Sequence, residues 1–128
     1  GASAVLLICS LLTEKQIREF LSVCDELGLS ALVETHDENE ISAAVNVGAP
    51  IIGGNNRSLK DFSVDTGNSR RLRDLVPKDI LFVSESGVKN AQDTEELRKI
   101  GADAVLIGET LMRSSDKNAK LAELRGAL

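Results

Sequence analysis

The sequence predicts an α/β fold of about five parallel βα units, and three observations carry that prediction. Short β-rich runs alternate with helical stretches along the whole chain, the order of a parallel sheet covered by helices. Each run is almost continuously apolar, as strands buried on both faces should be. Between the runs lie helix start and stop signals at the expected spacing. With 128 residues, 42% hydrophobic and 27% charged, the chain has the length and apolar content of one globular domain, with no linker or low-complexity segment to divide residues 1–128.

The first strand is predicted at Ala4–Ile8. Thr13-Glu14-Lys15-Gln16 then reads as a capping box, after which Ile17, Phe20, Leu21, Cys24 and Leu27 share one helical face and Gly28 supplies a left-handed stop. The second strand is predicted at Ser30–Glu34, and Asp37 with Glu40 repeats the capping signal before Ile41, Ala44 and Val45. Pro50–Gly53 forms the third strand, and a helix carrying Leu72 and Leu75 follows before Pro77 stops it. Ile80–Ser84 is the fourth strand, with a helix opened by Asn90 or Asp93, and Ala104–Ile107 is the fifth. A short helix over "ETLMR" and a last one from about Asp116, packing Leu121 and Leu124, complete the chain. "GASAVLLI" at 1–8 and "GADAVLIG" at 101–108 match at most positions, through a repeated architecture or through the common look of Gly-Ala turns into strands.

Composition excludes several functions. The net charge is −5 and the basic residues are dispersed, whereas a nucleic-acid surface needs a Lys/Arg stripe; Trp and Tyr are absent, so base-stacking platforms are missing. No apolar run approaches the roughly 20 residues that span a bilayer, and Gly1-Ala2 lacks the basic flank of a signal peptide, so a cytoplasmic setting is expected. Cys9 and Cys24 form no CxxC pair and read as small buried apolar residues; no metal site is expected.

Ligands of parallel α/β proteins bind beyond the carboxyl ends of the strands. Glu34 ends an apolar strand in "LVETH", where desolvation raises a carboxyl into a range useful for acid/base work; the bland reading is a Glu bonded to a loop amide or a lysine. His36, the sole histidine, reads as a loop residue before the Asp37 cap rather than as a base. In "GGNNRSL", Asn55 offers both donor and acceptor and Arg57 can fork onto a carboxylate or phosphate; the alternative is an Asx-turn with a surface arginine. Ser86-Gly87 and Gly108-Glu109 place small residues where a backbone can approach an anion, the second pair opening a short helix. Glu109 would repel a phosphate there unless its carboxylate turns outward.

"LVETHDENE", "IIGGNNRSL", "VSESGV" and "ADAVLIGETLMR", in this order and spacing, resemble the C-terminal five βα units of indole-3-glycerol phosphate synthase, the lyase of tryptophan biosynthesis, over essentially the whole chain. The resemblance implies a (βα)8 barrel that closes and decarboxylates 1-(2-carboxyphenylamino)-1-deoxyribulose 5-phosphate, a sugar-phosphate substrate, without metal or organic cofactor. It makes Glu34 the catalytic carboxylate, Asn55 and Arg57 substrate-positioning residues, Glu85 a pocket-lining residue, and Ser86, Gly87, Gly108 and Glu109 the phosphate cradle.

The resemblance implies that the general acid is a lysine on an early strand, with a second lysine and a glutamate from the first strand, whereas Lys15, Lys60, Lys78 and Lys99 here fall on predicted helices and loops; the chain alone is expected to lack synthase activity. Gly54 stands where the family usually carries a bulkier apolar residue, implying a weaker strand and an emptier pocket floor. Five strands cannot close an eight-stranded barrel, and open edges expose unpaired N–H and C=O groups. The expectation is a partial barrel that self-associates or pairs with an N-terminal half; the alternatives are a flavodoxin-like open sheet and a non-catalytic half-barrel module.

Overall fold

The structure, a computed structural model, describes residues 1–126. Along the chain run β1 (Ala4–Ile8), a 3-10 turn (Cys9–Leu11), α1 (Glu14–Glu26), β2 (Ser30–Thr35), α2 (Glu38–Asn46), β3 (Ile51–Asn55), α3 (Gly67–Arg73), β4 (Leu81–Glu85), α4 (Ala91–Lys99), β5 (Ala104–Leu106), α5 (Glu109–Arg113) and α6 (Lys117–Arg125). All pairings are parallel and the strand order is the chain order, β1-β2-β3-β4-β5. A flavodoxin-like sheet reverses its order beside the first strand; here no reversal occurs, so that alternative is excluded. The sheet does not close, and the arc is a partial barrel.

Some polar residues predicted to follow the strands, Thr35, Asn55 and Glu85, lie on them. The ladder continues through Thr35↔Gly54 and Asn55↔Glu85, so β2, β3 and β4 each end one or two residues later than their apolar runs. β5 is shorter than predicted, ending at Leu106.

The local signals are realised with one shift. Thr13 and Gln16 cap each other reciprocally at α1, as do Asn90 and Asp93 at α4. At α2, Asp37 accepts from the Glu40 N–H at 2.9 Å, but the Glu40 carboxylate reaches past Asp37 to the N–H of His36, at 2.8 Å. The α1 stripe is narrower than predicted: Ile17 and Cys24 are buried, whereas Phe20 and Leu27 are exposed. Leu75 likewise lies exposed beyond the end of α3, leaving Leu72 to enter the core. Both cysteines are buried free thiols, and burial, then the nearby Glu40, pushes Cys9 up to about 11, which keeps it protonated and unreactive.

Only one face of the sheet is sealed, which corrects the expectation of strands buried on both faces. Side chains alternate along a strand. One set, Leu7, Ala31, Val33, Ile52 and Phe82, is buried against Ile17, Cys24, Ile41, Ala44, Leu72 and Val76 from the helical side. Each such large side chain contributes about 1.5–3 kcal/mol of burial. The other set, including Leu6, Leu81 and Leu106, is 41–51% exposed. That set faces the hollow that further strands of a closed barrel would fill.

Gly54 belongs to the sealed face, so it does not floor a pocket. A Cβ there would lie 2.6 Å from Cζ of Phe82 and 3.5 Å from Leu72, and the Phe82 ring, lying 5.8 Å beneath the guanidinium of Arg73, has no free volume to retreat into. The glycine is thus required by the ring that crosses it. Gly54→Ala should destabilise the fold by about 1–3 kcal/mol, the usual cost of overpacking, read as a lower urea midpoint at unchanged slope; an unchanged midpoint would show that the ring shifts freely.

Candidate active site at the carboxyl ends of the strands

The last inward residues of three adjacent strands converge. Glu34 of β2 and Glu85 of β4 flank β3, whose Gly53 pairs with Glu34 and whose Asn55 pairs with Glu85. All three polar side chains are buried. Asn55 donates through Nδ2 to Glu34 Oε1 at 3.1 Å, and its Oδ1 accepts from the Arg57 N–H at 2.9 Å. The second contact is the Asx-turn that the sequence offered as an alternative; Asn55 makes it and still holds the carboxylate. Burial, then the negative charge of Glu34, pushes Glu85 up to about 8. Its Oε1 is buried without a donor, as fits an acid that keeps its proton. Near neutral pH Glu85 therefore largely keeps its proton beside Glu34.

Next to this pair opens a cleft of about 920 Å³ at the ends of β4 and β5. Arg57, Glu85, Ser86, Gly87, Gly108 and Glu109 line it, so six of the eight predicted site residues share one cavity, with Glu34 and Asn55 behind Glu85. Ser86 and Gly87 both adopt left-handed backbone, at φ 66° and 85°. A side chain at Gly87 would also collide with Val64 Cγ1, at 2.8 Å, so only glycine fits. Left-handed geometry at a serine is strain of the kind held at functional sites. Gly108 caps α5, and the Glu109 carboxylate turns away onto Arg57 Nη2, at 2.8 Å, and Arg113 Nε, at 2.9 Å. Hydrogen bonds from Arg113 and Arg57 hold Glu109 below the usual carboxylate range. The outward turn demanded by the sequence reading is thus present, at the cost of occupying Arg57.

Several residues escaped the sequence reading. His36 is no loose loop residue: Nε2 lies 3.2 Å from Glu34 Oε1 and Nδ1 lies 3.1 Å from Glu40 Oε2. Asn56, one step past Asn55 and so directed to the opposite face, donates to Ser84 Oγ at 3.2 Å and to the Ser86 carbonyl at 3.0 Å while accepting from Ser69. It ties α3 to the strained turn. The doubled "NN" was its only sequence signal. Lys89 and Lys120 also border the cleft; α6 delivers Lys120, anchored by Leu124 against Leu97 and Val88.

No helix among the described residues is long and apolar enough to cross a membrane. The sequence profile of the indole-3-glycerol phosphate synthase family matches residues 1–124. A protein of that name from Ruminiclostridium cellulolyticum is 61% identical over 127 residues, covering 99% of this chain and 49% of the relative. Another, from Leuconostoc mesenteroides, is 53% identical over 126 residues, covering 98% of the chain and 48% of the relative. The chain therefore spans about half the length of the curated relatives it matches. Among solved structures, the 3-hexulose-6-phosphate synthase of Salmonella typhimurium aligns with the whole chain and 62% of its own at a TM-score of 0.82 and 14% identity. A thiamine phosphate pyrophosphorylase from Pyrococcus furiosus aligns with 98% of the chain and 58% of its own at 0.74 and 21%. At such identities the likeness shows the shared fold alone.

The raised Glu85 makes stability depend on pH. Between the ordinary carboxyl value of 4.5 and about 8 the folded chain holds a proton that the unfolded chain has lost. The contribution is thus fully present below that ordinary value and is lost as pH rises through the folded one. Urea midpoints measured from about pH 5 to about pH 9 should fall with pH, and Glu85→Gln should flatten that fall; an equal slope in both proteins would place the proton elsewhere.

Proposed function

The chain belongs to the indole-3-glycerol phosphate synthase family, and from that premise we propose that residues 1–128 form one incomplete barrel domain carrying the C-terminal share of the synthase's active site. The reaction closes a ring on 1-(2-carboxyphenylamino)-1-deoxyribulose 5-phosphate, expels its carboxylate as carbon dioxide and eliminates water. Glu34 is the carboxylate that takes a proton as the ring carbon loses its hydrogen. Asn55 fixes its rotamer. Glu85, neutral at working pH, lines the pocket without adding a second charge beside a substrate that is itself anionic. Ser86, Gly87, Gly108 and the main chain of Glu109 hold the phosphate, with Lys89 and Lys120 supplying positive charge at the cleft's rim. Arg57 positions the substrate and exchanges its Glu109 partner for a substrate anion.

One observation carries this reading: a buried carboxyl pair, Glu34 and Glu85, abuts a cleft that is lined also by the strained Ser86-Gly87 turn and by Gly108. That is the division of labour a sugar phosphate needs, with proton chemistry at one end and anion binding at the other. The acid that protonates the departing oxygen comes from an N-terminal half, which seats on the exposed face of Leu6, Leu81 and Leu106 and completes the edges at β1 and β5. Without that half, two copies of the chain cover each other. A cytoplasmic setting fits a biosynthetic enzyme with two reduced, buried thiols.

Two measurements test the proposal. Given the carboxyphenylamino-deoxyribulose phosphate, the chain alone should form no indole-glycerol phosphate, and mixing it with a separately produced N-terminal half should restore turnover, which Glu34→Gln lowers by about 10²-fold or more. A folded pair that binds substrate without turnover would favour the non-catalytic half-barrel. Separately, inorganic phosphate should shift the backbone amide resonances of Gly87 and Gly108, and unshifted amides would remove the cradle assignment.

A further inference from the structure

His36 and Glu40 are the ionisable groups nearest the carboxyl pair that the scheme above leaves idle. Glu40 Oε2 accepts the His36 backbone N–H at 2.8 Å and lies 3.1 Å from Nδ1 of the same residue. A carboxylate oxygen offers only acceptor capacity, so the ring proton must sit on Nδ1. Nε2 is then turned to Glu34 Oε1, 3.2 Å away, an oxygen that also accepts from Asn55. Two acceptors this close repel unless a proton lies between them, on Nε2 or on Glu34. Nε2 is buried and has no other partner.

The surroundings hold this line in place. From α3, Asn68 Nδ2 donates to the His36 carbonyl at 3.3 Å while its Oδ1 is held by Arg71 at 2.7 Å. From β3 comes Asn55, from β4 the carboxyl of Glu85 beyond Glu34, and from α2 Glu40, behind the Asp37 cap. Side-chain exposure rises stepwise from 8% at Glu34 to 16% at His36 and 20% at Glu40, so the line runs from the buried carboxylate towards solvent.

We propose that His36, its tautomer fixed by Glu40, is the positioning residue that relays the proton of Glu34. The proton taken up by Glu34 passes to Nε2 and the ring becomes an imidazolium held between two carboxylates; once product has left, the same proton returns from Nε2 past Glu34 to water in the opened cleft, and the ring regains its Nδ1–H form. Glu34 is thereby returned to its basic form between turnovers. The relay rests on the reading of Glu34 as the base.

Because His36 is the only histidine in the chain, labelling this chain alone with ¹⁵N-histidine gives one pair of ring nitrogens, read with and without an unlabelled N-terminal half. The expected spectrum has Nδ1 protonated at every pH, lost as a fixed preference in Glu40→Ala, and an Nε2 signal that moves in Glu34→Gln. A neutral ring protonated only on Nε2, or ring signals indifferent to Glu34→Gln, would overturn the relay. In the complemented assembly, His36→Asn keeps a donor near the Nδ1 position but has no Nε2; kcat should fall about 10–100-fold with KM within about twofold. Undiminished kcat would reduce His36 to a structural part. If the unsubstituted assembly makes no product, the synthase reading fails, and the nitrogen spectrum still decides the tautomer.

Discussion

A Cβ at position 53 would stand 1.8 Å from Oε1 of Glu85 and 3.2 Å from Leu32 Cδ1. Glycine at this place in β3 is therefore what lets the Glu85 side chain lie over the neighbouring strand and meet the field of Glu34. Strands in a parallel sheet are about 4.8 Å apart, so residues two strands distant do not ordinarily interact so closely. The absent methyl group closes that gap. The consequence is electrostatic: two carboxyls forced together in a desolvated place cannot both ionise cheaply, and one keeps its proton far above the ordinary carboxyl range. Two successive glycines serve opposite faces of one strand, Gly53 clearing space for the acid and Gly54 for the Phe82 ring.

The same alternation explains how an incomplete barrel holds its site. The helical side has a continuous core from Leu7 to Phe82, and at the sheet's carboxyl end that core becomes polar and fully satisfied: Thr35 donates to the Gly53 carbonyl at 2.7 Å, and Ser69 and Ser84 lie 2.7 Å apart beside Asn56. These bonds stand directly behind the strand ends that bear Glu34, Asn55 and Glu85. Buried hydrogen bonds fix rotamers and backbone where apolar packing alone would allow drift. The site is thus held from behind, through contacts within the chain, while its front stays open.

What was legible in the sequence was what is local. Capping boxes at Thr13 and Asn90, the turn glycines and the apolar runs each announce themselves within a few residues, and the order of elements followed. Glu34 and Asn55 stand out because a polar residue ending a buried strand is costly without a purpose, and Ser86 because it sits beside Gly87 in a turn of small residues. His36 lies in the loop before the Asp37 cap, as read, but its contacts are not legible, because they depend on Glu34 and Glu40, which converge on it from a strand end and a helix turn. Gly54 was assigned to the wrong face because the β3 run was ended at Gly53, which hid the pairing that carries the strand on to Asn55. Burial on both faces was over-read: an apolar run tells that a strand will be covered, not which cover is in the same chain.

On the proposed reading, the charges say what a second half would bring besides bulk. Beside the buried pair of Glu34 and Glu85 stand His36 and, beyond it, Glu40; the cations Arg57, Lys89, Arg113 and Lys120 line the cleft. Arg57 and Arg113 are already engaged by Glu109, and Lys120 by Glu123. An elimination that expels oxygen needs a proton donor within reach of the departing oxygen. The large exposed side chains that line the hollow, Leu6, Leu81 and Leu106, cannot donate a proton. On the proposed reading, whatever covers Leu6, Leu81 and Leu106 is apolar at its base, to seat on them, and carries the proton donor at its carboxyl end, to complete the chemistry assigned to Glu34.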